Sequence, residues 1–227
     1  MIFLPRLSLI EWLPCWRLVP SLFPPVGLYD RVAKPEDLDI IFQIEALTNN
    51  RLRDEAGDIT LVPVHERVTG LGTTPIMAAF THLNPIGSRF TDGSYGVYYA
   101  ARDIKTAIAE TKFHRARFLA ATKQPPIQID MRSYASDLKA ELHDIRQLQP
   151  DWPELYHNDQ YGQAQALAKE LRNLGSNGIV YDSVRDPVGE CVAIFKPKAL
   201  APVKQGGHYC YVWDGKTMLD VYQKTAL

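Results

Sequence analysis

The chain has 227 residues, of which 46% are hydrophobic and 22% are charged, a composition typical of a soluble globular protein with a substantial core. Its formal net charge is −1, from 25 basic and 26 acidic residues, so the chain as a whole has no electrostatic attraction for DNA or an anionic membrane. Three widely spaced cysteines, Cys15, Cys191 and Cys210, indicate neither a disulfide framework nor a zinc site. We expect reduced thiols in a cytoplasmic protein.

Residues 1–59 predict an N-terminal arm followed by a helical extension. The first 25 residues are apolar in patches, but charges and prolines interrupt them before the roughly 20 apolar residues that a membrane span needs. We therefore expect an extended arm that packs on the body, and no contact with a membrane. Residues 36–56, which follow Pro35, have the pattern of an amphipathic helix that ends near Asn49 and Asn50.

Residues 60–200 predict one domain in which strands and helices alternate irregularly, followed by a C-terminal strand and tail, 201–227, on the same domain. This order favours an α+β fold over a doubly wound sheet. The predicted strands are 61–69, which carries Arg67, and 95–101, 127–130, 178–183, 191–195 and 209–213. The predicted helices are 104–121 and 163–174, and residues 75–81 fit either a short helix or a buried strand.

One segment carries side chains suited to ligand chemistry. Arg89 lies in a glycine-punctuated turn, Tyr99 lies in the aromatic strand that follows, and Glu110 lies in the second turn of the next helix. Asp103 can cap that helix, and Glu110 lies off its apolar stripe, so burial does not explain this glutamate. The set suits a ligand that bears phosphate and a ring. An ordinary strand–helix unit with a solvated arginine and glutamate explains the spacing equally well.

Several common motifs are absent from the sequence. It has no glycine-rich phosphate loop ending in Lys-Ser/Thr, no G-x-G-x-x-G and no G-x-S-x-G. Its six histidines show no H-x-x-x-H spacing, so we do not expect metal catalysis.

Four blocks together resemble a known family, the RES domain, which is named for its Arg, Glu and Ser. They are residues 67–70, 87–90, 99–110 and 178–185, and the resemblance covers roughly residues 60–200. Their order makes the resemblance more specific than any single block. The segment from residue 16 to residue 54 looks like the extension that longer RES proteins carry.

The resemblance implies a fold similar to the ADP-ribosyltransferase core and a toxin of a toxin–antitoxin pair. Such toxins consume NAD+ by phosphorolysis, hydrolysis or transfer of ADP-ribose to a protein, so NAD+ is a substrate, no cofactor is needed, and inorganic phosphate is a candidate co-substrate. The implied partner is an antitoxin with a Xre-like helix-turn-helix domain, through which alone the toxin would reach DNA. A protein ADP-ribosyltransferase and a non-catalytic binding module remain alternatives, and a homodimer is compatible with the sequence.

The resemblance also implies the residues of the site, which are Arg67, Arg89, Tyr99, Glu110 and Ser183. Glu110 would stabilise the cation that forms at the ribose, the arginines would bind the diphosphate, Tyr99 would stack on nicotinamide, and Ser183 would position ribose or phosphate. Their ordinary alternatives are a solvated glutamate, surface ion pairs, a core tyrosine and a turn serine.

Two positions complicate this assignment. Thr91 stands where the family usually has asparagine. Tyr98 replaces Tyr99 if the turn before the helix is realigned.

Overall fold

A seven-stranded sheet organises the computed structural model, which describes residues 4–21, 34 and 57–225. Its strands lie in the order β1-β2-β5-β4-β3-β6-β7, and β1 also pairs with β3. Every pairing is antiparallel except β3 with β4. The strands are β1 (Leu7–Pro20), β2 (Tyr98–Ala101), β3 (Ile127–Asp144), β4 (Gly178–Asp182), β5 (Glu190–Ile194), β6 (Lys204–Trp213) and β7 (Met218–Lys224).

Three α-helices occur in the described ranges, which confirms the α+β class. They are α1 (Thr74–Thr81), α2 (Ile104–Ala121) and α3 (Gly162–Asn173). None of the helices in these ranges is long and apolar enough to cross a membrane. The helix predicted over 36–56 lies outside the described residues.

The N-terminal segment is extended, as predicted, and it forms a full strand of the sheet. β1 pairs with β3 from Leu7 opposite His143 to Pro20 opposite Met131. Its partner β3 is much longer than the predicted strand 127–130. The second half of β3 has a period of two, with buried Leu138, Ala140 and Leu142 alternating with exposed polar residues.

The prediction of a strand over residues 61–69 is wrong. Two 3₁₀ turns, Ile59–Leu61 and Val64–Glu66, replace it. The Asp58 side chain accepts a hydrogen bond from the Thr60 N–H and starts the first turn. Pro63 has no N–H for a strand ladder and precedes the second turn.

The sheet has a hydrophobic cluster on each face because alternate residues of a strand point to opposite faces. Ala101, Tyr181 and Cys191 belong to the cluster on which α2 and α3 pack, and Tyr99 packs against it. We call this side the cleft face. Tyr98 and its alternating neighbours in β4 and β5 belong to the cluster on the other side, the opposite face, on which α1 packs.

Candidate active site

A cleft of about 780 Å³ lies on the cleft face. It is lined by α2, by parts of β1, β2, β4 and β5, and by the segments 84–89 and 159–165. Ligand pockets in proteins typically have volumes of about 300–1,000 Å³, so the cleft has room for a molecule of dinucleotide size.

The start of α2 is fixed by hydrogen bonds on both sides. Asp103 caps the helix as predicted, since its Oδ1 accepts from the Thr106 N–H at 2.9 Å. The Thr106 hydroxyl in turn donates to Asp186 Oδ2 at 2.9 Å, in the turn that follows β4. Gly189 packs closely here, because a Cβ on it would lie 2.5 Å from the Thr106 side chain. These contacts hold α2 against the β4–β5 turn.

One stripe of α2 faces the cleft along most of the helix. Ala107, Glu110, His114, Phe118 and Ala121 are spaced three or four residues apart, so they lie on the same side of the helix, and all five line the cleft. The predicted position of Glu110 off the buried stripe is therefore explained, because it faces a ligand-sized space.

Glu110 is held by Ser183, 73 residues further along the chain. The Ser183 hydroxyl donates to Glu110 Oε1 at 2.6 Å and accepts the N–H groups of Arg185 and Asp186 at 3.1 and 3.0 Å. Those two donors leave the hydroxyl hydrogen directed at the carboxylate, and such a charge-assisted bond is strong. Ser183 is buried and does not line the cleft, so its contacts make it a residue that orients Glu110.

His114 lies beside the second carboxylate oxygen and was missed in the sequence analysis. Its Nε2 is 4.0 Å from Glu110 Oε2. Burial lowers the pKa of His114, Glu110 opposes that shift, and Arg185, Arg89 and Arg117 lower the pKa further. The imidazole is therefore favoured in its neutral form. The signal for it in the sequence is its i, i+4 spacing from Glu110.

A tight turn carries Arg89 into the cleft wall. Gly87 has a φ of +77°, and a Cβ at that position would lie 2.5 Å from the Thr91 carbonyl oxygen. The turn closes through the Ser88 N–H, which donates to that same oxygen at 2.8 Å. Thr91 also donates its hydroxyl to the Tyr95 carbonyl at 2.7 Å. Threonine therefore stabilises this loop where the family usually has asparagine.

Arg89 uses only part of its hydrogen-bonding capacity within the protein. Its Nη1 donates to the carbonyls of Leu155 and His157 at 2.9 and 3.0 Å, and its guanidinium lies 4.9 Å from the centre of the Tyr161 ring. Nε and Nη2 make no hydrogen bond to any residue in the described ranges. Arg89 is thus fixed in place and retains donors for a ligand.

Tyr99, and not Tyr98, lines the cleft. The Tyr99 hydroxyl accepts from the Phe90 N–H at 2.9 Å and shares a hydrogen bond of 2.8 Å with the Ser88 hydroxyl. Burial raises the pKa of Tyr99 to about 12, so the hydroxyl stays protonated. Tyr99 therefore helps to hold the Arg89 turn. Tyr98 is fully buried in the cluster on the opposite face.

The structure does not place Arg67 with the other predicted site residues, contrary to our expectation. Arg67 is buried and does not line the cleft. Its Nε donates to the Val62 carbonyl at 2.9 Å and its Nη2 to the Ile59 carbonyl at 3.3 Å. The 3₁₀ turns that replace the predicted strand supply these carbonyls, and both partners belong to the cluster on the opposite face.

Arg17 of β1 borders the cleft, but its side chain alternates with Trp16 and Leu18 of the cleft-face cluster and therefore lies on the opposite face. It lies where β1 meets β2: its Nη1 donates to the Tyr99 carbonyl at 3.0 Å, and its guanidinium is 4.7 Å from the centre of the Tyr98 ring. Its Nε is buried without a hydrogen-bond partner, and no carboxylate in the described ranges pairs with it. The Tyr99 carbonyl and the Tyr98 ring therefore hold this cation within the fold.

Within the described ranges, no group of three or more His, Cys, Asp or Glu side chains is placed to hold a metal ion. The charged side chains that line the cleft include more arginines than carboxylates. The carboxylates are Glu110 and Asp159, and the arginines are Arg89, Arg115 and Arg117.

Comparison with known proteins connects this site to one family. A sequence model described as the RES domain matches residues 65–214. An uncharacterized protein, y4oC, from Sinorhizobium fredii is 31% identical over 207 residues, which cover 91% of this chain and 86% of that protein. Among solved structures, a chain of the Mycobacterium tuberculosis MbcT–MbcA toxin–antitoxin complex aligns with 96% of this chain and 87% of its own length, at 12% identity and a TM-score of 0.41.

Proposed function

We propose that this chain, which belongs to the RES domain family, is the NAD+-consuming toxin of a toxin–antitoxin pair. The reaction would break the bond between nicotinamide and ribose, with inorganic phosphate or water as the acceptor. The observation that carries this proposal is the pairing of an oriented carboxylate, Glu110, with an excess of cationic side chains in one cleft of dinucleotide size.

The chemistry of bond cleavage explains the need for the carboxylate. Departure of nicotinamide leaves positive charge on the ribose carbon, as in the oxocarbenium-like transition states of glycoside hydrolysis. Nicotinamide leaves as a neutral molecule, so the reaction needs no general acid. Glu110 would stabilise the developing cation through Oε2 while Ser183 holds Oε1, and a carboxylate already held in place pays no reorganisation energy during the reaction.

The diphosphate of NAD+ explains the need for the arginines. A guanidinium can bind phosphate oxygens with paired N–H donors, and Arg89 retains Nε and Nη2 for that purpose. Arg115 and Arg117 add two further guanidinium groups to the lining of the cleft. Tyr99 contributes a ring at the same cleft, where a cationic nicotinamide ring would gain a modest attraction from an aromatic face.

A toxin of this kind needs control, because it would deplete the NAD+ of its own cytoplasm. We propose that an antitoxin with a Xre-like helix-turn-helix domain blocks the cleft. A partner that binds only the folded toxin would also stabilise it by mass action. Neither a membrane nor direct binding of nucleic acid is part of this proposal.

The experiment that tests the proposal identifies the products of NAD+ by mass spectrometry. Purified protein is incubated with NAD+ in phosphate-containing and phosphate-free buffer, and the Glu110→Gln protein, purified in parallel, controls for contaminating activities. Phosphorolysis gives free nicotinamide and ADP-ribose 1″-phosphate only in phosphate, and hydrolysis gives nicotinamide and ADP-ribose in both buffers. ADP-ribose found on protein alone would favour the transferase. Intact NAD+ in every reaction would contradict the proposal and favour a binding module.

A further inference from the structure

Two large apolar side chains of the cleft are exposed. Phe118 of α2 has 56% of its surface accessible, and Ile86, in the segment before Arg89, has 90% accessible. Neither belongs to a hydrophobic cluster, so packing within the protein does not account for them. Exposed apolar groups inside a ligand-sized cleft indicate an apolar part of the ligand.

The position of Phe118 on α2 gives its distance from Glu110, the carboxylate at the proposed reaction centre. Phe118 follows Glu110 by eight residues on the same face of the helix, which corresponds to about 12 Å along the axis. A ligand that reacts at Glu110 and reaches Phe118 is therefore elongated, with a second flat or apolar group far from its reactive bond.

Cationic groups lie at intermediate heights along the same helix. Arg115 and Arg117 are about 8 and 10 Å from Glu110 along the axis, and both line the cleft. The side chain of Arg115 makes no hydrogen bond to any residue in the described ranges. Arg117 is held at the rim by Asp159, with its Nη1 2.9 Å from the carboxylate oxygen. Anionic groups between the two ends of the ligand would meet these cations.

We propose that Phe118 binds the purine base of NAD+ and makes the enzyme specific for the dinucleotide over its nicotinamide half. This inference rests on the proposed function. The order carboxylate, arginines, phenylalanine along α2 matches the order ribose, diphosphate, purine in the substrate. A purine offers a flat face to the phenyl ring, and base–aromatic stacking is a substantial contribution to nucleotide affinity.

The test compares the two halves of the substrate. For wild type, Phe118→Ala and Phe118→Trp, the KM and kcat for NAD+ are measured, with the inhibition constants of AMP and of nicotinamide mononucleotide as competitors. Leu174→Ala is the matched control, because Leu174 is an exposed apolar side chain that does not line the cleft. Thermal unfolding checks that each variant is folded, which we expect since Phe118 is exposed.

In Phe118→Ala we expect the KM for NAD+ and the inhibition constant of AMP to rise about tenfold, with kcat and the inhibition constant of nicotinamide mononucleotide within twofold of wild type. Phe118→Trp should keep both values near those of the wild type, and Leu174→Ala should change neither. An unchanged KM in Phe118→Ala, a wild-type enzyme that AMP does not inhibit, or equal effects on both halves would overturn the inference alone. Absence of NAD+ turnover by wild type would overturn the proposed function, and this inference with it.

Discussion

The surroundings of Arg67 and the cleft that holds Arg89 give two arginines different environments. Around Arg67, carbonyls of neighbouring turns accept two of its N–H groups, and the side chain is closed off from the cleft. In the cleft, Arg89 keeps two nitrogens without hydrogen-bond partners in the described ranges. An arginine enclosed by its own chain stabilises the fold, whereas one that keeps donors in an open cleft is available to a ligand.

The largest effect should follow from Glu110→Gln, which keeps the size of the side chain and removes the charge of the cleft's oriented carboxylate. We expect kcat for NAD+ consumption to fall about 10²–10³-fold, because the developing cation loses its electrostatic stabilisation. The matched control is Glu170→Gln, an exposed glutamate of α3 outside the cleft. Both variants should unfold at the wild-type temperature. Wild-type turnover in Glu110→Gln would disprove the role of this carboxylate.

The second effect concerns stability on the other side of the comparison. Arg67→Met removes the donors to two buried carbonyls, and we expect the free energy of unfolding to fall by about 2 kcal/mol. Denaturant unfolding measures the loss, and NAD+ turnover per folded molecule should not change. A lost turnover with unchanged stability would place Arg67 in the site after all and would erase the distinction between the two regions.

A smaller effect, on substrate binding and not on stability, is expected for Arg89→Lys. Lysine keeps the charge but loses the planar pair of donors, so the KM for NAD+ should rise about tenfold with little change in kcat. Steady-state kinetics measure the change, and Arg102→Lys, an exposed arginine paired with Glu190, is the control. Equal kinetic constants for wild type and Arg89→Lys would show that Arg89 is not a substrate ligand.

The smallest effect is a change in the titration of His114. Burial lowers the pKa of His114 in the folded protein below its ordinary value of 6.5, so the neutral ring is favoured there. The contribution of this group to the free energy of unfolding is therefore fully present above pH 6.5 and is lost as the pH falls through the lowered pKa. Since Glu110 raises the pKa of His114, Glu110→Gln should lower it further. Proton NMR titration measures both values, with the signal assigned by comparison with His114→Asn. A pKa that rises in Glu110→Gln would contradict the observed proximity of the two groups.

Local signals explain the parts of the fold that the sequence predicts well. The bounds of α2, Ile104–Ala121, match the prediction because Asp103 caps the helix and apolar spacing marks its buried face. The strands predicted over 178–183 and 191–195 follow from two short apolar runs, and the structure has both as β4 and β5, which pair antiparallel. These features depend on residues close together in sequence.

The features that were missed depend on contacts between distant residues. The N-terminal segment is a strand of the sheet because β1 pairs with β3 more than 100 residues away, and a pattern within the first 25 residues cannot reveal that pairing. The family resemblance implied Arg67 for the site, and the strand predicted to carry it is replaced by turns at Asp58 and Pro63. The contact of Glu110 with Ser183 joins two elements 73 residues apart. The family resemblance implied both residues for the site, but with Ser183 positioning ribose or phosphate and not Glu110.

The measurement that tests the central claim most directly follows cellular NAD+ after the chain is induced in bacteria. Wild type and Glu110→Gln are expressed to equal soluble levels, and NAD+ and growth are recorded over the same time course. In cells with wild type, NAD+ should fall before growth stops, Glu110→Gln should change neither, and co-expression of a neighbouring helix-turn-helix protein should restore both. Growth arrest with an unchanged NAD+ level, or undiminished NAD+ and growth at verified soluble expression without an antitoxin in the host, would contradict an NAD+-consuming toxin.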